Sequence, residues 1–225
     1  MKFPNAFEGV KKIFLSEILT LIAGVLAVIG AIAALAGSAI AVGIADTADM
    51  SDEAVAQVAG GAVAAVGVGG VVALIGGIIM IVAFIIYLIG VNKAKKDNDN
   101  FAKAFMWVII SLIFSIIVGF FSATPTVGPI LSACSSVVSC LATFYIVNGI
   151  ADLADQLGNS AVAGTARTLI KVLFVVYALQ VIASLIGGFA SGLSLILSIV
   201  ATILGVIANI VYLIILAQGK KVLEG

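Results

Sequence analysis

Long apolar runs, separated by short charged segments, organise the chain from end to end. The first is uncharged from Ile18 to Ala45 and predicts a span from about Ser16 to Ala45; the second predicts a span from about Val58 to Val91. Two longer uncharged stretches follow, Ala104 to Ala151 and Val172 to Gly219. About 20 residues of helix cross a bilayer core, and each stretch is more than twice that, so neither can be one straight span. Pro125, Gly128 and Pro129 break the first near its middle, and the small-residue string Gly187 to Gly192 breaks the second. Spans three and four (about 104–123 and 130–150) and five and six (about 168–187 and 193–217) follow. A transmembrane β-barrel would show short alternating segments instead of continuous runs.

The expected fold is an all-α membrane protein, a compact bundle of six transmembrane helices arranged as three helical hairpins with both termini in the cytoplasm. Residues 1–15 read as a cytoplasmic or interfacial lead. Residues 16–103 form the first hairpin, with an outer acidic loop at 46–57 and a cytoplasmic basic loop at 92–103. Residues 104–166 form the second hairpin, and 167–225 the third with a short cytoplasmic tail. Span three illustrates the driving force: Met106 to Phe121 holds eleven Val, Ile, Leu and Phe residues and no charge, which amounts to roughly 3–7 kcal/mol of insertion.

Composition agrees with this reading. The chain is 63% hydrophobic and 10% charged, with a mean hydropathy of +1.34, whereas soluble domains are about a quarter charged. Charge also orients the spans. With a cytoplasmic N-terminus, every basic residue falls on that side: Lys2, Lys11 and Lys12; Lys93, Lys95, Lys96 and Lys103; Arg167 and Lys171; Lys220 and Lys221. The opposite side receives Asp46, Asp49, Asp52 and Glu53 and two uncharged turns, with no Lys or Arg. Positive residues are retained in the cytoplasm, so this sorting fixes the orientation, and it points to a plasma membrane as the location.

The order of Lys2, Lys11 and Lys12 before an apolar run resembles a signal peptide. The run from Ile18 to Ala45 far exceeds the short apolar core of such a signal. It therefore reads as an uncleaved span, although Gly37, Ser38 and Ala39 would allow a cleavage site. Phe3, Phe7, Val10 and Phe14 lie at helical spacing ahead of it and suit an anchor leading into span one, or an interfacial sensor helix.

The three returning spans carry Tyr87, Tyr145 and Tyr212 near their cytoplasmic ends. Lys103 and Lys171 each precede a Gly by the same interval, at Gly119 and Gly187. Hairpins two and three are therefore candidate duplicates. Lipid does not drive helices together as water does, so they associate where small residues let backbones approach. Stripes spaced by four serve this purpose: Ala23, Ala27 and Ala31; Gly69, Ala73 and Gly77; Ser111, Ser115 and Gly119; and Ser194, Ser198, Ala201, Gly205 and Ala208 on span six.

Candidate chemistry is sparse. The chain has no histidine, so His-activated nucleophiles and His-ligated zinc are excluded. No pair of carboxylates lies deep in a span, and the Gly-rich strings lack the GK[ST] ending of a phosphate loop. The acidic outer loop has no EF-hand spacing and reads as solvated. Cys134 and Cys140 lie on different faces of one helix and cannot bridge. No enzyme activity, cofactor or metal is expected, and the zero net charge gives nucleic acid no footprint.

A polar pocket remains as a candidate. Ser132, Ser136, Ser139 and Thr143 line one face of span four, Gln180 sits in mid-span five, Asn209 lies in span six, and Glu17 lies just inside span one. These groups either line a solute path or bond within and between helices. Two functions follow. One is a non-catalytic accessory or assembly protein contacting other membrane subunits or copies of itself. The other is a small-solute transporter or substrate-binding membrane subunit with its site among spans four to six. Six spans, an inside N-terminus and an Ala stripe on span one resemble the architecture of small vitamin-binding subunits of energy-coupling transporters, without a shared motif.

Overall fold

A computed structural model describes residues 2–45, 52–121, 127–187 and 191–224. They form six α-helices: α1 (Pro4–Ala45), α2 (Asp52–Ala94), α3 (Asp99–Phe121), α4 (Val127–Gln156), α5 (Ser160–Gly187) and α6 (Ser191–Glu224). All six are long and apolar enough to cross a membrane. In lipid a backbone must satisfy its own polar groups, so an uncharged run of this length becomes helix almost regardless of side-chain detail. Residues 46–51 of the acidic loop, the Pro125 turn at 122–126 and residues 188–190 lie outside the described residues.

Helix α1 has 42 residues and α2 has 43, so each is about 63 Å long, twice the hydrocarbon thickness. Helix α1 starts at Pro4, within the lead at 1–15, and runs to Ala45. Likewise α2 begins at Asp52, inside the stretch expected to be loop.

Two compact units divide the chain: unit 1 holds residues 1–14 and 87–225, and unit 2 holds residues 15–86. In unit 2, α1 and α2 run antiparallel and meet at their backbones. A Cβ added to Gly69 would lie 2.7 Å from the carbonyl oxygen of Gly30, and one added to Gly76 would lie 3.2 Å from that of Ala23. Ser16, Ala23 and Gly30 on α1 and Gly69, Gly76 and Ala83 on α2 are all buried. These positions recur every seven residues. The four-residue stripes expected from sequence are thus corrected: Ala23 and Gly69 are buried, but Ala27, Ala31, Ala73 and Gly77 are exposed. A step of four advances about 40° around a helix, whereas a step of seven falls only about 20° short of two turns, so only the latter stays on one seam.

In unit 1 the same seven-residue step reaches Gly9 and Gly90. A Cβ on Gly9 would lie 2.6 Å from the Gly90 carbonyl oxygen, and one on Gly90 would lie 2.8 Å from that of Gly9. Helix α4 packs against α3 and α5 and more lightly against α6, and α5 packs against α6. The buried core collects at the end of the helices that carries the basic residues: Val10 and Ile13 of α1, Val91 of α2, Phe101 of α3, Ile146 and Ile150 of α4, Leu169 of α5, and Ile215 and Leu216 of α6. Phe3, Phe7 and Phe14 pack against this core, as do Tyr87 and Tyr145, and Tyr212 is part of it. Toward the other end apolar side chains face outward, Phe120 being 81% exposed. Such exposure is unfavourable in water and neutral in lipid.

Polar side chains close the helix ends in unit 1. Asn98 Oδ1 accepts the Asn100 N–H (2.8 Å) at the start of α3, and Asn159 Oδ1 accepts that of Val162 (3.2 Å) at the start of α5. Helix α4 ends where Gly158 adopts φ of 77° and Asn159 N–H bonds the Ala154 carbonyl.

Candidate functional site

Span four's hydroxyls are turned to their own helix and to α3. Ser136 donates to the Ser132 carbonyl (3.1 Å) and Thr143 to the Ser139 carbonyl (3.1 Å), each one turn back. The Ser139 hydroxyl lies 3.2 Å from that of Ser111. Of span three's stripe, Ser111 therefore touches α4, while Ser115 and Gly119 are exposed. This is the pattern of a packing seam, in which these three hydroxyls bond within the protein.

Gln180 and Asn209 belong to the facing helices α5 and α6. A Cβ on Gly205 would lie 3.5 Å from Gln180 Nε2, and Asn209 follows Gly205 by one turn. Asn209 Oδ1 is buried with no hydrogen-bond partner among the described residues. Glu17, in unit 2, is half-buried; the ion pairs among the described residues are Glu8 with Lys93 and Asp155 with Arg167. Of the sequence-derived candidates, the structure thus brings Ser132, Ser136, Ser139 and Thr143 onto one seam and Gln180 near α6. Side chains of Ser194, Ser198 and Ala201 lie outside the described residues. Cys134 is exposed and Cys140 buried, and both are free.

A polar cleft that the sequence did not single out lies at the basic end of unit 1. It has a volume of about 390 Å³ and is lined by Lys95 to Asn100, Asp152 and Gln156. Two of its three carboxylates are engaged. Asp97 accepts the Ala6 N–H (2.8 Å) and the Asn5 side-chain amide (2.8 Å), and so caps the first turn of α1 from a distant part of the chain. Asp152 accepts from the Asn100 amide at 2.5 Å. Across the same region Lys2 Nζ reaches the Gln156 carbonyl at 3.4 Å. The cleft is therefore a joint between chain segments: its acids hold the start of α1 and the start of α3 in place. Among the described residues no group of three His, Cys, Asp or Glu side chains is placed to hold a metal ion. The sequence signal that could have found Asp97 was an unpaired Pro4 helix start, but its partner is set by tertiary proximity.

No protein-family model matches the chain, and no curated protein or solved structure is significantly similar to it.

Proposed function

We propose that this integral membrane protein is a non-catalytic accessory or assembly component, with six spans in three hairpins and both termini cytoplasmic. The observation that carries the role is the fate of the polar groups within the spans. The hydroxyls of Ser136 and Thr143 are taken up by backbone carbonyls and that of Ser139 by Ser111, and none of the candidate pocket residues lines the polar cleft. Such a chain offers helix surfaces, which other membrane subunits or a second copy can engage. The orientation rests on the eleven Lys and Arg residues, and the offset between Lys103 and Lys171 supports α3–α4 and α5–α6 as duplicates.

One observation favours the second reading, a small-solute transporter or substrate-binding subunit. The buried Asn209 Oδ1 on α6, one turn from the glycine that Gln180 approaches, could accept a hydrogen bond from a solute. The two readings separate on the purified protein in native-lipid nanodiscs. The accessory role expects a stoichiometric second subunit or a stable oligomer, and Gln180→Leu and Asn209→Leu leaving thermal stability insensitive to added solutes. A solute that stabilises the native chain, with the effect lost in both variants, would transfer the assignment to a transporter. Orientation is tested in a Cys134→Ser, Cys140→Ala background: an impermeant thiol reagent applied to sealed cells should label Asp49→Cys and spare Lys95→Cys. The reverse pattern refutes the assigned topology.

A further inference from the structure

Basic residues at one end of a membrane protein do not all face the same surroundings, and here the charge balance differs between two corners of unit 1. Among the described residues only Lys93 and Arg167 of the eleven bases form an ion pair. At the α2–α3 corner Lys95 and Lys96 line one cleft with Asp97, Asp99 and Asp152. The bases there are matched by acids.

The corner where the end of α6 meets the start of α1 is different. Lys220 Nζ lies 5.7 Å from the centre of the Phe14 ring, which joins the two helices and holds the ammonium over an aromatic face. Lys11 lies one turn before Phe14 on α1, and Lys221 follows Lys220; both are exposed. Of the three acids nearest in sequence, one is already paired. Glu8 is engaged by Lys93, Glu224 is exposed one turn beyond Lys220, and Glu17 lies one turn deeper on α1. The uncharged run begins four residues after Phe14, about 6 Å along the helix, which places this corner at headgroup depth.

The geometry points to an anionic phospholipid site at this corner, with Lys11, Lys220 and Lys221 taking the headgroup phosphate and Phe14 fixing Lys220 beneath it. The site is independent of which side of the membrane the corner faces. A lysine near an anionic bilayer surface contributes roughly a fivefold preference, so the three together select phosphatidylglycerol over phosphatidylcholine well beyond fivefold. The unlike charges of the α2–α3 corner give no such selection.

Two indole reporters test this in the full-length chain reconstituted in bilayers. The native Trp107 stands one turn beyond Lys103 on α3 and reports the balanced corner. A Phe14→Trp, Trp107→Phe variant reports the basic one. Quenching by dibrominated phosphatidylglycerol and by dibrominated phosphatidylcholine gives the relative lipid affinity at each. The Phe14→Trp reporter should favour the anionic lipid by well over about fivefold, and the ratio should fall toward one with Lys11→Gln, Lys220→Gln and Lys221→Gln together. Trp107 should give a ratio near one throughout. Equal ratios at the two reporters, or a ratio indifferent to the triple substitution, overturn the site. Absence of quenching by either lipid would instead overturn membrane embedding itself. A second measurement leaves Phe14 native: phosphatidylglycerol added to detergent micelles should raise the thermal midpoint more than phosphatidylcholine does, with the difference lost in the triple variant. An equal rise with both lipids sinks the proposal.

Discussion

Gly69 and Gly70 are neighbours on α2, share a depth along the helix and have the same side chain, yet replacing each by Ala should have opposite consequences. A methyl group on Gly70 meets nothing within 4 Å. One on Gly69 lies 2.7 Å from the Gly30 carbonyl oxygen, 3.0 Å from the Ala34 nitrogen and 3.3 Å from the Ala34 Cβ. Two of those three atoms are backbone, so relief requires α1 and α2 to separate along their seam by roughly half an ångström or more, which already forfeits about a quarter of each dispersion contact there. Any intrinsic gain of Ala over Gly in a helix is common to both sites and cancels in the comparison. What remains is the overpacking cost, about 1–3 kcal/mol for Gly69→Ala relative to Gly70→Ala. Gly76 and Gly77 supply a graded second pair: a methyl on Gly76 lies 3.2 Å from the Ala23 oxygen, and one on Gly77 meets nothing. Gly76→Ala should therefore cost less than Gly69→Ala and more than Gly77→Ala. Reversible unfolding in mixed micelles, read by a fluorophore pair on α1 and α2, measures these differences. If Gly70→Ala costs as much as Gly69→Ala, or the order of the four variants is scrambled, the seven-residue seam is not where these helices meet.

Other consequences follow from single contacts. Gly149→Ala places a methyl 2.7 to 3.0 Å from three atoms of the fully buried Phe101 ring and should cost about 1–3 kcal/mol; Phe101→Leu in the same chain should recover part of the loss, and no recovery would show that the ring is not the obstacle. Asp97→Ala removes the acceptor for Ala6 N–H and the Asn5 amide and should cost about 1 kcal/mol, with faster hydrogen exchange confined to the first turn of α1; unchanged exchange there would refute the cap. A double-mutant cycle with Ser111→Ala and Ser139→Ala should give a coupling of about 0.6 kcal/mol, and a coupling of zero would mean that the two hydroxyls do not bond in the membrane.

The polar candidates divide according to whether their partners were local. Ser136 and Thr143 bond carbonyls one turn back, a fact contained in the α-helix itself, so those two bonds were legible from spacing alone. The pairing of Ser111 with Ser139 and the approach of Gln180 to Gly205 required knowing which helices are adjacent. The cleft was missed altogether, because Asp97 and Asp152 are far apart in the chain and neither sits in a motif.

By itself the sequence determined that this chain makes six helices suited to lipid and where the long uncharged runs must break. The physical reason is that insertion depends on summed apolarity over about 20 residues and on backbone hydrogen bonds made within each segment, both local quantities. It could not determine which glycine of each doublet touches a neighbour, that α1 begins at Pro4 and is capped by Asp97, or that the packed core gathers at the basic end. Those outcomes depend on rotation and register between helices. They are decided by close backbone contacts between residues such as Gly30 and Gly69, which hydropathy, being blind to distance across the bundle, does not record.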